Sequence, residues 1–208
     1  SIVGGGANGC ILHYIENKDM LKNGDLVLID AGCEYEDYAS DITRTFPVNG
    51  KFSDEQAAIY DIVLKALKEA IDVTQAGTPY NKTNETTIRV ITEGLVELGL
   101  LKGDINDLIK AEAHRECYMH GAGHWLGLDV HDVGDYKIDG EWRIYEPGMV
   151  VTIEPGIYIS PKNKKVDTKW RGIGVRIEDD IVITKTGNIN LTSKVPKERN
   201  EIEKMMAK

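Results

Sequence analysis

Two aspartates constrain this chain more than any other feature: Asp30, in Leu28-Ile29-Asp30-Ala31-Gly32, and Asp41, in Ser40-Asp41-Ile42-Thr43-Arg44-Thr45-Phe46. The apolar run Leu26 to Ile29 reads as a buried strand. Glu34 to Asp37 reads as a turn and Thr43 to Val48 as a returning strand. A turn centred near Tyr35 and Glu36 sets Asp30 opposite Asp41 across an antiparallel ladder, with Cβ atoms about 4.5–5.5 Å apart. Two carboxylates that close in an apolar setting do not both stay ionised unless a cation lies between them, because one pKa rises steeply. The pair therefore predicts a metal site.

A chain of 208 residues suffices for one domain with a real core. No stretch approaches the length of a membrane span. The formal charge of −9 argues against nucleic acid or anionic membranes as partners, and bound metal would match part of it. Cys10, Cys33 and Cys117 are an odd number without a C-x-x-C pair, which fits a reducing, cytoplasmic setting rather than a disulfide framework. Cys117 reads as a small buried hydrophobe, in preference to a nucleophile beside His114 or His120. The chain opens at Ser1 in an apolar-glycine segment, which reads as the start of an N-terminally truncated piece. Gly4-Gly5-Gly6 precedes no strand-to-helix pattern and reads as a flexible or cut end, not a phosphate loop.

Residues 24–48 read as strands. Ser53-Asp54-Glu55-Gln56 is a capping-box signature, and Tyr60, Val63, Leu64, Leu67 and Ile71 then follow helical spacing up to a stop at Gly77. A second helix is expected from about Lys82 to Leu98 and a short third over Asp104 to Lys110. Trp125 to Val130, Met149 to Tyr158 and Val175 to Thr184 read as strands. Strands, then helices, then strands favour an α+β fold, with helices on one side of a mostly antiparallel sheet.

Three segments hold further candidate ligands. His120 to Asp132 carries three of the five histidines among glycines; the plain alternative is a glycine-rich surface loop. In Val150-Val151-Thr152-Ile153-Glu154-Pro155-Gly156, Glu154 ends a β-branched run, either at an exposed rim or as a ligand. In Gly174-Val175-Arg176-Ile177-Glu178-Asp179-Asp180, a strand would set Arg176 and Glu178 on one face; the alternative is a surface ion pair of little worth. Asp179 and Asp180 read as a solvated turn. Together Asp30, Asp41, His124, Glu154 and Glu178 make four carboxylates and one imidazole, a charge match for two divalent cations about 3.5–4 Å apart. An oxygen-rich set with one nitrogen suits Mn²⁺, Co²⁺ or Zn²⁺.

These five segments, in this order, resemble the catalytic domain of the Xaa-Pro aminopeptidases, among the pita-bread metallopeptidases. The resemblance runs over essentially the whole chain. It implies a pseudo-two-fold α+β fold around a two-metal centre, manganese first, with an N-terminal family domain absent from this chain. It implies that Asp41 and Glu178 bridge both metals, that Asp30 completes one shell, and that His124 and Glu154 complete the other. A bridging hydroxide would attack the bond before proline in peptides with proline second. Glu154 would carry the proton, His120 and His131 would flank the substrate and the developing oxyanion, and His13 would help bind the peptide. Tyr158 and Arg176 match positions that orient the carboxylates. A homo-oligomer is implied for the full-length protein.

Prolidase, which cleaves Xaa-Pro dipeptides, shares the five ligands, but Asn8 to Tyr14 and the short stretch between Gly134 and Glu146 look more like the aminopeptidases. The Gly-Leu-Asp-Val-His-Asp that follows His124-Trp125-Leu126 disfavours methionine aminopeptidase. A metal-free, peptide-binding relative or a creatinase-like hydrolase is disfavoured because no ligand position is substituted.

Overall fold

The computed structural model describes residues 1–207. Strands β1 (Ile2–Gly5), β2 (Leu26–Ala31), β3 (Glu34–Tyr35), β4 (Tyr38–Ala39) and β5 (Ile42–Pro47) come first. Helices α1 (Asp54–Val73), α2 (Asn81–Glu97) and α3 (Ile105–Lys110) follow, then β6 (Lys137–Ile138) and β7 (Glu141–Trp142). The chain closes with β8 (Val150–Ile153), β9 (Gly156–Tyr158), β10 (Gly174–Arg176), β11 (Asp179–Thr184), β12 (Gly187–Asn190) and α4 (Arg199–Met206). Before the helices, β2 lies between β1 and β5; after them, β11 lies between β8 and β12. Every strand pairing among the described residues is antiparallel. This is the α+β order expected from the sequence.

The capping box forms as predicted: Ser53 Oγ accepts the Gln56 amide and Gln56 Oε1 accepts the Ser53 amide. It starts an amphipathic helix whose Ile59, Tyr60, Val63, Leu64 and Leu67 are buried. That face packs on α2, through Ile91 and Leu95, and on the apolar side of the later strands, where Ile153, Ile157, Val175 and Ile181 are fully buried. Each such side chain contributes about 1.5–3 kcal/mol of transfer free energy, so the helices hold the strands, and the residues at their ends, against one core.

The structure corrects several sequence expectations. Glu36 and Asp37 both take positive φ, 51° and 62°, and form a two-residue turn of the kind that matches strand twist. The turn centre thus lies one residue later than expected, and Asp30 faces Thr43, not Asp41. A one-residue move of the centre shifts pairing by two, so Asp41 stays on the same face as a diagonal neighbour. Trp125 to Val130 is not a strand: Trp125 alone pairs, with Val151, because Leu128 and Val130 are exposed and have no core to face. Met149 to Tyr158 breaks at Glu154-Pro155, and Val175 to Thr184 breaks at Ile177-Glu178. Asp179 and Asp180 are buried in β11 rather than in a solvated turn. Gly4 and Gly5 belong to β1, paired with Leu28 and Val27, not to a loose end.

Candidate metal centre

The two strand breaks make the site. At Glu154 the backbone leaves β8, and Pro155, without an N–H, cannot continue the ladder. At Glu178 it leaves β10, and the Glu178 amide bonds the Thr43 carbonyl of β5 instead. Asp30 lies one residue before the end of β2, Asp41 precedes β5, and His124 sits in the loop beside β8. These five residues line one cavity of about 370 Å³, together with His13, His120, His131 and Arg176. One donor atom from each of Asp41, His124 and Glu178 lies within 4.8 Å of the other two. His124 Nε2 is 3.5 Å from Asp41 and 3.7 Å from Glu154.

Hydrogen bonds fix how these groups face. His124 Nδ1 is 2.9 Å from the Trp125 carbonyl, which fixes the ring with Nε2 toward the carboxylates. The loop that carries it lies against β8: a Cβ on Gly123 would sit 1.8 Å from the Thr152 carbonyl. Tyr80 Oη donates to the Gly123 carbonyl and Thr152 Oγ1 accepts the His124 amide. Arg176 donates to Asp30 at 2.6 Å, to Thr43 Oγ1 at 3.2 Å and to Tyr158 Oη at 3.1 Å. Tyr158, buried behind the cavity, is 2.8 Å from His120 Nε2, while His120 Nδ1 meets the Gly121 carbonyl. Both His120 nitrogens are thus engaged, and burial brings its pKa down to about 4. His131 is exposed and meets the His124 ring edge to face at 4.2 Å.

The carboxyls are short of positive charge. Burial pushes Glu154 up to about 7, against the pull of His124 and Arg176. Burial, then the charges of Glu154, Asp41 and Asp30, hold Glu178 well above the carboxylate range. Burial also raises Asp30 despite Arg176. Asp41 runs the other way: burial opposes ionisation, but hydrogen bonds with His124 and Asp30 outweigh it. Such a set binds protons where it lacks metal, and divalent cations would supply the missing charge. Four carboxylates and one imidazole are the donor chemistry that Mn²⁺-like ions accept.

Three contributors escaped the sequence reading. Thr43 Oγ1 donates to Glu178 Oε2 at 2.6 Å. Asp180 Oδ2 accepts the Asp41 amide at 3.2 Å. Arg44 reaches the Glu178 carbonyl from the other side of β5. Strand alternation offered a signal for Thr43, two residues after Asp41 and on its face; the other two depend on contacts far along the chain.

The model of metallopeptidase family M24 matches residues 1–185. The chain belongs to that family. It is 58% identical to the Xaa-Pro aminopeptidase of Escherichia coli K12 over 99% of this chain and 46% of that protein. It is 59% identical to the Xaa-Pro aminopeptidase of Haemophilus influenzae over 99% of this chain and 47% of that protein. The solved structure of Pseudomonas aeruginosa aminopeptidase PepP superposes with a TM-score of 0.98 at 61% identity, covering 99% of this chain and 47% of that one. The fold is therefore the pita-bread fold. The chain spans about half the length of the curated relatives it matches.

Proposed function

We propose that residues 1–208 form a single catalytic domain of an aminopeptidase that releases the first residue from peptides with proline in second position. The observation that best supports this is the meeting of Asp30, Asp41, His124, Glu154 and Glu178 in one cavity, in a chain so similar to Xaa-Pro aminopeptidases. In this reading Asp41 and Glu178 would serve both of two divalent ions, manganese first. Asp30 would hold one ion, and His124 and Glu154 would hold the other. When bound, such ions lower the pKa of a shared water and polarise the scissile carbonyl.

The protein groups do the rest. Glu154, on the cavity wall 3.7 Å from His124, carries a proton to the proline nitrogen as the bond breaks. His131, exposed at the cavity mouth, offers a donor to charge that develops on the carbonyl oxygen. His13, on the same cavity wall, binds the peptide backbone. His120, engaged at both nitrogens, flanks the substrate and holds Tyr158, which with Arg176 orients the carboxylates. Among the described residues no helix is long and apolar enough to cross a membrane. The net charge of −9 argues against nucleic-acid and anionic-membrane partners, and three free cysteines fit a cytoplasmic enzyme; the family likeness fits a homo-oligomer at full length.

The test is Mn²⁺-dependent hydrolysis by the full-length protein of Xaa-Pro-Xaa tripeptides against Xaa-Pro dipeptides. Tripeptide cleavage is expected. Cleavage confined to dipeptides makes the protein a prolidase, and the absence of both bound metal and activity after incubation with Mn²⁺ overturns the reading.

A further inference from the structure

Arg44 is 3% exposed, carries a full charge, and lies on the face of β5 opposite Thr43 and Thr45. An arginine has five N–H donors, and all of them are used. Nη1 donates to the carbonyls of Thr43 and Glu178. Nη2 donates to Asp179 Oδ1 at 2.7 Å and to the Val195 carbonyl at 3.0 Å. Nε donates to the Pro196 carbonyl at 3.1 Å. The counter-charge is held as firmly: Asp179, fully buried, also accepts from Lys197 Nζ at 2.8 Å, Asn190 Nδ2 at 2.7 Å and Thr192 Oγ1 at 2.8 Å.

Glu178 belongs to neither β10 nor β11, so its carbonyl is outside both ladders. Arg44 supplies that partner, and the same nitrogen holds Thr43, two residues from Asp41. We infer that Arg44 is a positioning residue, fixing the separation between the chain that carries Asp41 and the chain that carries Glu178. Its weight in metal binding rests on the reading of those two carboxylates as shared ligands. A lysine in its place has three donors on a point charge and loses at least two of these five bonds.

The test uses Arg44→Lys, Arg44→Met and the double variant Arg44→Met/Asp179→Asn, which removes both charges together. Val63→Ala, in the α1 core and away from the site, serves as a control for lost stability. Manganese titration calorimetry on wild type and variants, with Tm beside it, is the solution readout. Weakening of at least tenfold for the second Mn²⁺ is expected in Arg44→Lys and in the double variant. Val63→Ala should keep wild-type affinity at an equal or larger loss of Tm. Metal-free crystal structures of wild type and the double variant give the second readout, the distance between the Asp41 and Glu178 carboxylates, which is expected to lengthen in the variant. Wild-type Mn²⁺ affinity in the Arg44 variants, or an unchanged carboxylate distance, overturns the inference. So does failure of every Arg44 variant to fold, which would make the residue a general stability element. If wild type itself binds no Mn²⁺, the functional reading fails, while the carboxylate distance still decides the role of Arg44.

Discussion

Thr43 and Glu178 are tied twice: the threonine hydroxyl donates to Glu178 Oε2 at 2.6 Å, and the threonine carbonyl accepts the Glu178 amide at 3.0 Å. The first bond is side chain to side chain and can be removed alone. Thr43→Val keeps shape and backbone but leaves a buried carboxylate and the Arg176 Nε without their shared partner. A hydrogen bond to a charged group contributes about 1.5–3 kcal/mol, so Mn²⁺ affinity should fall about tenfold or more. Calorimetric titration checks it; wild-type affinity would show that the backbone bond suffices.

Asp41 is the carboxylate nearest His124, and its pKa is the one among the cavity's four that runs low. Asp41→Ala should therefore abolish two-metal loading. Metal analysis after dialysis against Mn²⁺ measures this, and two ions per chain in the variant would refute the sharing role.

His131 touches the His124 ring but none of the carboxyls by hydrogen bond. His131→Ala should lower kcat by about 10²-fold or more, in line with loss of one oxyanion donor, while metal content stays at the wild-type level. Loss of metal in that variant would make His131 a ligand.

The metal-free protein should lose stability as pH rises. Glu154 has a folded pKa near 7 and an unfolded value near 4.5, so between those values the folded state binds the proton the unfolded chain has released. Asp180, raised by burial to about 7 from 3.8, acts in the same sense. In EDTA, Tm should fall from about pH 5 to pH 7, and Glu154→Gln should flatten the slope. A Tm that rises across this window in EDTA would contradict it.

Burial pushes the thiols of Cys10 and Cys117 up to about 12 and about 11, while Cys33 is exposed. The thiolate is the nucleophile, so iodoacetamide at pH 8 should label Cys33 in the native protein and spare the other two. Peptide mapping by mass spectrometry reads this directly, and native labelling of Cys10 would show that its site opens.

Much of the candidate site was legible in the sequence because its carboxylates sit at abrupt ends of apolar runs. Asp30 and Asp41 were paired correctly in face though not in register, since face depends on parity and register on a turn whose Glu36 gives no sign that it adopts positive φ. The breaks at Glu154 and Glu178 were not legible as breaks: a β-branched pattern reads as a continuous strand, and what interrupts Val175 to Thr184 is Thr43, far earlier in the chain. Asp179 looked like a surface acid for the same reason. Its counter-charges, Arg44 and Lys197, lie on distant segments, and no local pattern announces them.

The carboxylates that close the cavity also lie far apart in the order of synthesis. A ribosome delivers Asp30 early and Glu178 late, separated by on the order of ten seconds at ordinary elongation rates. Until β11 docks beside β8, the early aspartates have no partners across the cavity to complete the donor set. In the proposed two-metal reading, a nascent chain stalled before Glu178 lacks one of the five donors, whatever the metal supply.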